Sequence, residues 1–155
     1  VTRRSIEQEL YDRGITLRSG APSVGAYSVP VQSGKLLFVS GQLPSRDGKI
    51  LIAGKVGQEI SLSHAQDAAR LCAINALAAI KKQLGSLEEI SQIVRLEVFV
   101  NSAAGFIEQA QVANGASQLL HKVFGPAGQH ARTAIGVAEL PLNAAVELAM
   151  IVETK

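Results

Sequence analysis

Arg132 is the residue whose placement is most readily turned to chemistry. It lies near the start of a run of small and apolar residues, Ala131-Arg132-Thr133-Ala134-Ile135-Gly136-Val137-Ala138. Strand alternation puts Arg132, Ala134, Gly136 and Ala138 on one face, so the spacing predicts room beside a fixed cation. A guanidinium suits such a place because its planar fork grips a carboxylate bidentately and keeps its charge at physiological pH. The competing use is an internal ion pair with Glu147 or Glu139. Glu147 stands alone between Val146 and Leu148, and a carboxylate on an apolar strand is either at an edge or paired within a site. Beside Arg132 it could orient water or relay a proton, with burial and the arginine shifting its pKa in opposite directions.

Other chemistry is thinly represented. The chain holds no GxGxxG, Walker A, HExxH, CxxC or GxSxG pattern. His64, His121 and His130 are not spaced as metal ligands and read as surface or packing residues, so no metal site is expected. Cys72 falls inside an alanine-rich helical stretch, where burial keeps a thiol protonated and favours a core role. Glu88-Glu89, after Gly85-Ser86, reads as a solvated turn.

The elements that must position Arg132 and Glu147 follow from pattern. Ser5 with Gln8 forms a capping box for a helix over 5–13 that ends before Gly14. Residues 18–26 read as a loop, and 27–32 with 36–40 as a hairpin turning at Ser33-Gly34. A third short strand covers 49–52 after Asp47-Gly48. The strongest helix spans 63–84, between a Ser63 cap and Gly85, and has almost no polar face in its middle. A strand over 93–100, a helix over 106–124 ending at Gly125-Pro126, and strands over 130–139 and 144–153 complete the chain. Helix crossovers and hairpins together imply a mixed sheet with both long helices on one face, an α+β sandwich. Leu36, Phe38, Val98, Val100, Val146, Leu148 and Met150 then crowd the strands with apolar surface, and closed homo-oligomerisation would cover a bare sheet face.

At these same residues the chain resembles the RidA (YjgF/YER057c/UK114) family. The resemblance rests on Ser40-Gly41-Gln42-Leu43-Pro44, Phe99-Val100-Asn101, Asn114, and the run from Ala131-Arg132-Thr133 through Val137-Ala138-Glu139-Leu140-Pro141 to Val146-Glu147-Leu148. It extends from about Gly25 to the C-terminus. It implies a chorismate-mutase-like fold, a homotrimer with sheets facing inward, and sites in clefts between subunits. The activity it implies is hydrolysis of enamine and imine intermediates to 2-oxo acids and ammonia, without cofactor or metal. By position, Arg132 would bind the substrate carboxylate and Glu147 would support the water or proton relay. Tyr27, Ser40, Gly41 and Asn114 would line the cleft. Ala134 replaces the family's cysteine, so only its main-chain carbonyl could hold a water. Ala26 replaces a proline, and the N-terminal helix with its loop, 1–24, extends the 25–155 core of a single RidA-like domain; together these resemble a distinct branch.

Composition restricts the alternatives. The 155 residues are 47% hydrophobic and 18% charged, with a mean hydropathy of +0.21 and a single cysteine. A chain of this size supports a core without disulfides. Its +2 net charge and 4% aromatic content disfavour a dedicated nucleic-acid protein, although the pI of about 8.9 leaves weak phosphate binding open. No secretory-type apolar start or membrane-length apolar run occurs, so a cytoplasmic location is expected. Two other functions stay in play. One is non-catalytic binding of keto acids or fatty acids at Arg132; the other is the endoribonuclease or translation-inhibitor activity attached to some family members.

Overall fold

The computed structural model describes residues 3–18 and 30–155. Its elements in chain order are α1 (Ile6–Asp12), β1 (Val31–Ser33), β2 (Leu36–Gln42), β3 (Ser45–Arg46), β4 (Lys49–Ile50), α2 (Leu62–Leu84), β5 (Ile90–Asn101), α3 (Gln109–Phe124), β6 (Ala131–Val137) and β7 (Val146–Thr154). Five strands form one sheet in the order β1-β2-β7-β5-β6, parallel only between β5 and β6. Parallel neighbours need a crossover, and α3 supplies it. The mixed sheet and its helices match the α+β fold predicted from pattern.

Local chemistry explains most boundaries. The Ser5 hydroxyl accepts from Gln8 N, one half of the predicted capping box, while the Gln8 side chain donates to Asp12 Oδ1 at 2.7 Å rather than turning back to Ser5 N. For α2 the cap is Ser61 rather than Ser63: its hydroxyl accepts from His64 N, so the helix begins at Leu62. Two serines two residues apart offer the same cap chemistry, and tertiary placement chose the first. The helix predicted from Phe106 begins at Gln109, because Phe106 is used to pack in the loop over Gly57. The strand predicted over 49–52 stops at Ile50 and pairs with β3 as a separate two-stranded sheet. Glu88 is not simply solvated; its carboxylate accepts from Ile6 N at 2.5 Å, while Glu7 accepts from Leu87 N at 2.9 Å. These reciprocal bonds fasten α1 to the turn before β5, and Ile6 and Leu10 enter the main core.

The core lies between the sheet and the two long helices. Along α2, Ala65, Ala68, Ala69, Cys72, Ala73, Ala76, Leu77 and Ile80 are buried, the small side chains letting α3 and β7 approach from different sides. Of the seven apolar strand residues assigned to a bare face, five lie elsewhere: Val98, Val100, Val146, Leu148 and Met150 are buried beneath the helices. Strand alternation sends their neighbours the other way. The opposite face carries Leu36, Phe38, Phe99, Ile135, Ala149 and Ile151, with Phe38 42% and Ile135 44% exposed. No helix among the described residues is long and apolar enough to cross a membrane.

Candidate functional site

Glu147 projects from β7 on the open sheet face, where its register partner on β5 is Phe99. Its neighbour across the other edge of β7 is an irregular stretch of β2. Val39 pairs with Met150 and Gln42 with Leu148, so Ser40 and Gly41 together face the single intervening residue Ala149. This is a bulge, a device that re-aims groups beside functional sites. The Gln42 side-chain amide donates to the Ser40 carbonyl at 3.0 Å, so the glutamine supplies a donor where the ladder is interrupted. Gly41 permits the close approach: a Cβ there would stand 2.3 Å from Glu147 Oε1. Burial raises the Glu147 pKa above its ordinary 4.5, and its carboxylate has no hydrogen-bonding or ion-pair partner among the described residues. The arginine that sequence reasoning weighed against burial contributes nothing to that shift.

Arg132 faces the other way. It is in register with Leu96, which is fully buried beneath the helices, and so belongs to the helix-covered side of β6. Its Nη1 donates to Asn114 Oδ1 at 2.8 Å and to Ser117 Oγ at 3.1 Å, both on α3. Asn114 and Ser117 are three residues apart and therefore share a helix face. Neither Glu147 nor Glu139 pairs with Arg132; Glu139 pairs with Lys55 at 3.4 Å. Two neutral acceptors hold the guanidinium without neutralising it. With Nη1 committed to α3, Nε and Nη2 have no hydrogen-bond partner among the described residues. Those two nitrogens form the edge of the fork that suits a two-oxygen anion.

Two of the small residues beside Arg132 admit close packing from neighbouring elements. Ala134 is half-buried in register with Val98, packed against the core. Gly136 admits the start of α3, since a Cβ there would meet Ser102 Oγ at 2.8 Å and Gln109 Nε2 at 2.9 Å. Hollows of about 320, 280 and 400 Å³ lie around the three helices among the described residues, and these three are not lined by Arg132 or Glu147. The described residues bring no three histidine, cysteine, aspartate or glutamate side chains together as metal ligands.

The predicted site residues thus fall into two groups within one chain. Arg132, Asn114 and the backbone near Ala134 lie at the β6 edge on the helix side; Ser40, Gly41 and Glu147 lie on the open face, with β5 between. Tyr27 lies outside the described residues. Sequence reasoning missed Ser117, although its three-residue spacing from Asn114 was a usable signal, and treated His130 only as a packing residue. Cys72 is fully buried with its thiol pKa pushed up, chiefly by desolvation and further by Glu147, and its Sγ–H donates to Val146 O at 3.6 Å. A core role fits that environment.

The fold and the site together define an α+β protein of the chorismate-mutase-like type, with an arginine held at a sheet edge by Asn114 and Ser117. The family model described as "YjgF/chorismate mutase-like, putative endoribonuclease" matches residues 7–154, and the chain belongs to that family. Protein TCP17 of Trypanosoma cruzi is 45% identical over 141 residues, 90% of this chain and 88% of its own. A solved structure of unknown function from Agrobacterium tumefaciens is 46% identical with a TM-score of 0.91, covering 97% of this chain and 92% of that one. Another, from Shewanella oneidensis and described as a putative endoribonuclease, is 35% identical with a TM-score of 0.94, covering 97% and 99%.

Proposed function

We propose that the protein hydrolyses small 2-imino acids and their enamine tautomers to 2-oxo acids and ammonia, in a homotrimer whose subunits share each site. The observation that carries this reading is the guanidinium of Arg132, anchored by Asn114 and Ser117 with no carboxylate paired to it among the described residues. An uncompensated, oriented cation has a negative ligand as its natural complement. The exposed apolar residues on the open sheet face supply a surface for subunit packing. Because Glu147 projects from that face while Arg132 sits at an edge behind it, a second copy would be needed to bring one subunit's glutamate to another's arginine.

The chemistry needs little more. Arg132 would hold the substrate carboxylate, fixing the neighbouring C=N carbon. Glu147 as carboxylate would take a proton from the attacking water while its oxygen bonds to that carbon; the proton then passes to nitrogen. Collapse of the carbinolamine passes its hydroxyl proton to nitrogen through Glu147, forms the C=O bond, breaks C–N and releases ammonia, with no change of oxidation state. The raised pKa of Glu147 moves it toward the pH at which such exchange is efficient. Ser40 and Gly41 would shape the cleft, and the Ala134 carbonyl would hold the water. Oxo-acid release from an enamine generated by a serine or threonine dehydratase tests this: the protein should accelerate release, and R132A should abolish the acceleration while remaining folded. No acceleration by the native protein refutes hydrolysis.

The separation of Glu147 from Arg132 in the single chain favours one second reading, binding of a small carboxylate without turnover. Calorimetric binding of 2-oxobutyrate in the absence of any rate effect would select it.

A further inference from the structure

The hydrogen bonding at Arg132 continues past Ser117. Ser117 Oγ lies 2.9 Å from His130 Nε2, and His130 Nδ1 lies 2.7 Å from the carbonyl oxygen of Gly128. A carbonyl can only accept, so Nδ1 carries a proton and donates it. Burial lowers the imidazole's pKa below its ordinary 6.5; the Gly128 hydrogen bond opposes that shift, His121 and Arg132 add to it, and the net effect favours the neutral ring. Neutral His130 with its proton on Nδ1 presents a lone pair at Nε2. The Ser117 hydroxyl must then donate to that lone pair, leaving its oxygen to accept from Arg132 Nη1. The order of donation is therefore Arg132 to Ser117 to His130 to Gly128.

The far end of this chain is fixed by packing. Gly128 is buried in the Gly125–Gly128 turn, where a Cβ would stand 2.3 Å from the carbonyl oxygen of Leu120. Only glycine lets the turn sit that close to α3, and the approach sets the carbonyl that orients the His130 ring. His121 on α3 closes the other side of the ring, with centroids 5.3 Å apart. Ser117 itself is 5% exposed, so water offers little substitute for either of its bonds.

We propose that Ser117 and His130 are positioning residues of the anion site, aiming Arg132 so that its Nε and Nη2 donors face outward and select a planar carboxylate. This deepens the carboxylate-anchor reading of Arg132 and rests on it. Asn114 alone would leave the guanidinium free to swing about one contact. With Ser117 added, two acceptors on one helix face fix the plane of the fork, and His130 fixes which way the serine donates. Ser117 has no donor left for the ligand, so recognition falls to the arginine edge.

The test uses S117A, H130L and H130Q in the full-length protein, with calorimetric binding of 2-oxobutyrate, imine-hydrolysis kinetics, and ¹⁵N NMR of the Arg132 side chain without ligand. S117A, which removes a charge-assisted hydrogen bond, should weaken binding about tenfold, and H130L, which leaves the serine hydroxyl undirected, should weaken it less, both raising KM with little change in kcat. Their ligand-free Arg132 signals should broaden or move toward those of a solvated guanidinium. H130Q keeps an acceptor for the serine hydroxyl and should recover most of the affinity. Native affinity and an unchanged Arg132 signal in S117A would overturn the proposal, and this variant deletes only one oxygen if H130L fails to fold. Should the native protein bind no acid, the carboxylate reading falls, while the ligand-free Arg132 signal still decides whether Ser117 and His130 position the guanidinium.

Discussion

Gly41→Ala probes whether the close packing of β2 against Glu147 serves catalysis. The added carbon would stand 2.3 Å from Oε1, 2.8 Å from Cδ and 3.1 Å from Cγ of Glu147. To reach ordinary contact the carboxylate must withdraw by about 1 Å, a misplacement of the size that costs on the order of 100-fold in rate. Glu147 is a flexible, half-exposed side chain, so the fold should adapt. Overpacking costs about 1–3 kcal/mol, and removing a glycine from the unfolded chain returns about 0.4–1 kcal/mol. A net loss of about 1 kcal/mol corresponds to a Tm lower by roughly 2–4 °C in a chain this long. In the dehydratase-coupled assay we expect kcat to fall about 100-fold while KM, which the proposed carboxylate anchor Arg132 would set from the other side of the sheet, changes within about threefold. The double variant G41A/E147Q should be no slower than E147Q alone, because both act on one group. Native kcat in G41A, with the expected small drop in Tm, would show that the position of this carboxylate is immaterial and would remove Glu147 from the mechanism.

Further outcomes follow from the same geometry. R132K should bind 2-oxobutyrate far more weakly than the native protein despite keeping the charge, since an ammonium cannot reproduce the fork held by Asn114 and Ser117; equal affinity by calorimetry would mean that charge alone suffices. Because burial raises the Glu147 pKa, the ionised base appears only above its ordinary 4.5, and kcat should rise with pH through that higher value, a limb that E147Q lacks. The same shift makes its stability contribution present below 4.5 and lost as pH rises through the folded pKa. His130 has the opposite sign: its pKa is lowered, so stability present above 6.5 should be lost as pH falls through the lower folded value, and thermal melts of H130Q should lack that acid loss. F38D should dissociate the proposed trimer in sedimentation experiments; an unchanged mass would show that the open sheet face is not the subunit contact.

Much of the architecture is legible because it depends on near neighbours along the chain. Ser5 and Gln8 mark the start of α1, the alanine-rich run marks α2, and Gly125-Pro126 ends α3, each through local backbone and side-chain chemistry. The choice of Ser61 over Ser63, and of Gln109 over Phe106, was not local: both depend on what the loop packs against. Period-two alternation correctly separates the two faces of β7. It does not say which face the helices cover, and so Val98, Val100, Val146, Leu148 and Met150 were assigned to the wrong one.

The site divides along the same line. Residue chemistry alone singled out Arg132 as a lasting cation among small neighbours and Glu147 as an isolated carboxylate, because those properties belong to the side chain and its sequence neighbours. Whether the two meet, what holds the guanidinium, and which way the carboxylate's pKa moves were decided only by tertiary structure. Register across β7, β5 and β6 sends the two side chains to opposite faces, α3 brings Asn114 and Ser117 to the arginine, and the β2 bulge lays Gly41 against the glutamate. Those are contacts between residues distant in the chain, where one step of strand register reverses the outcome.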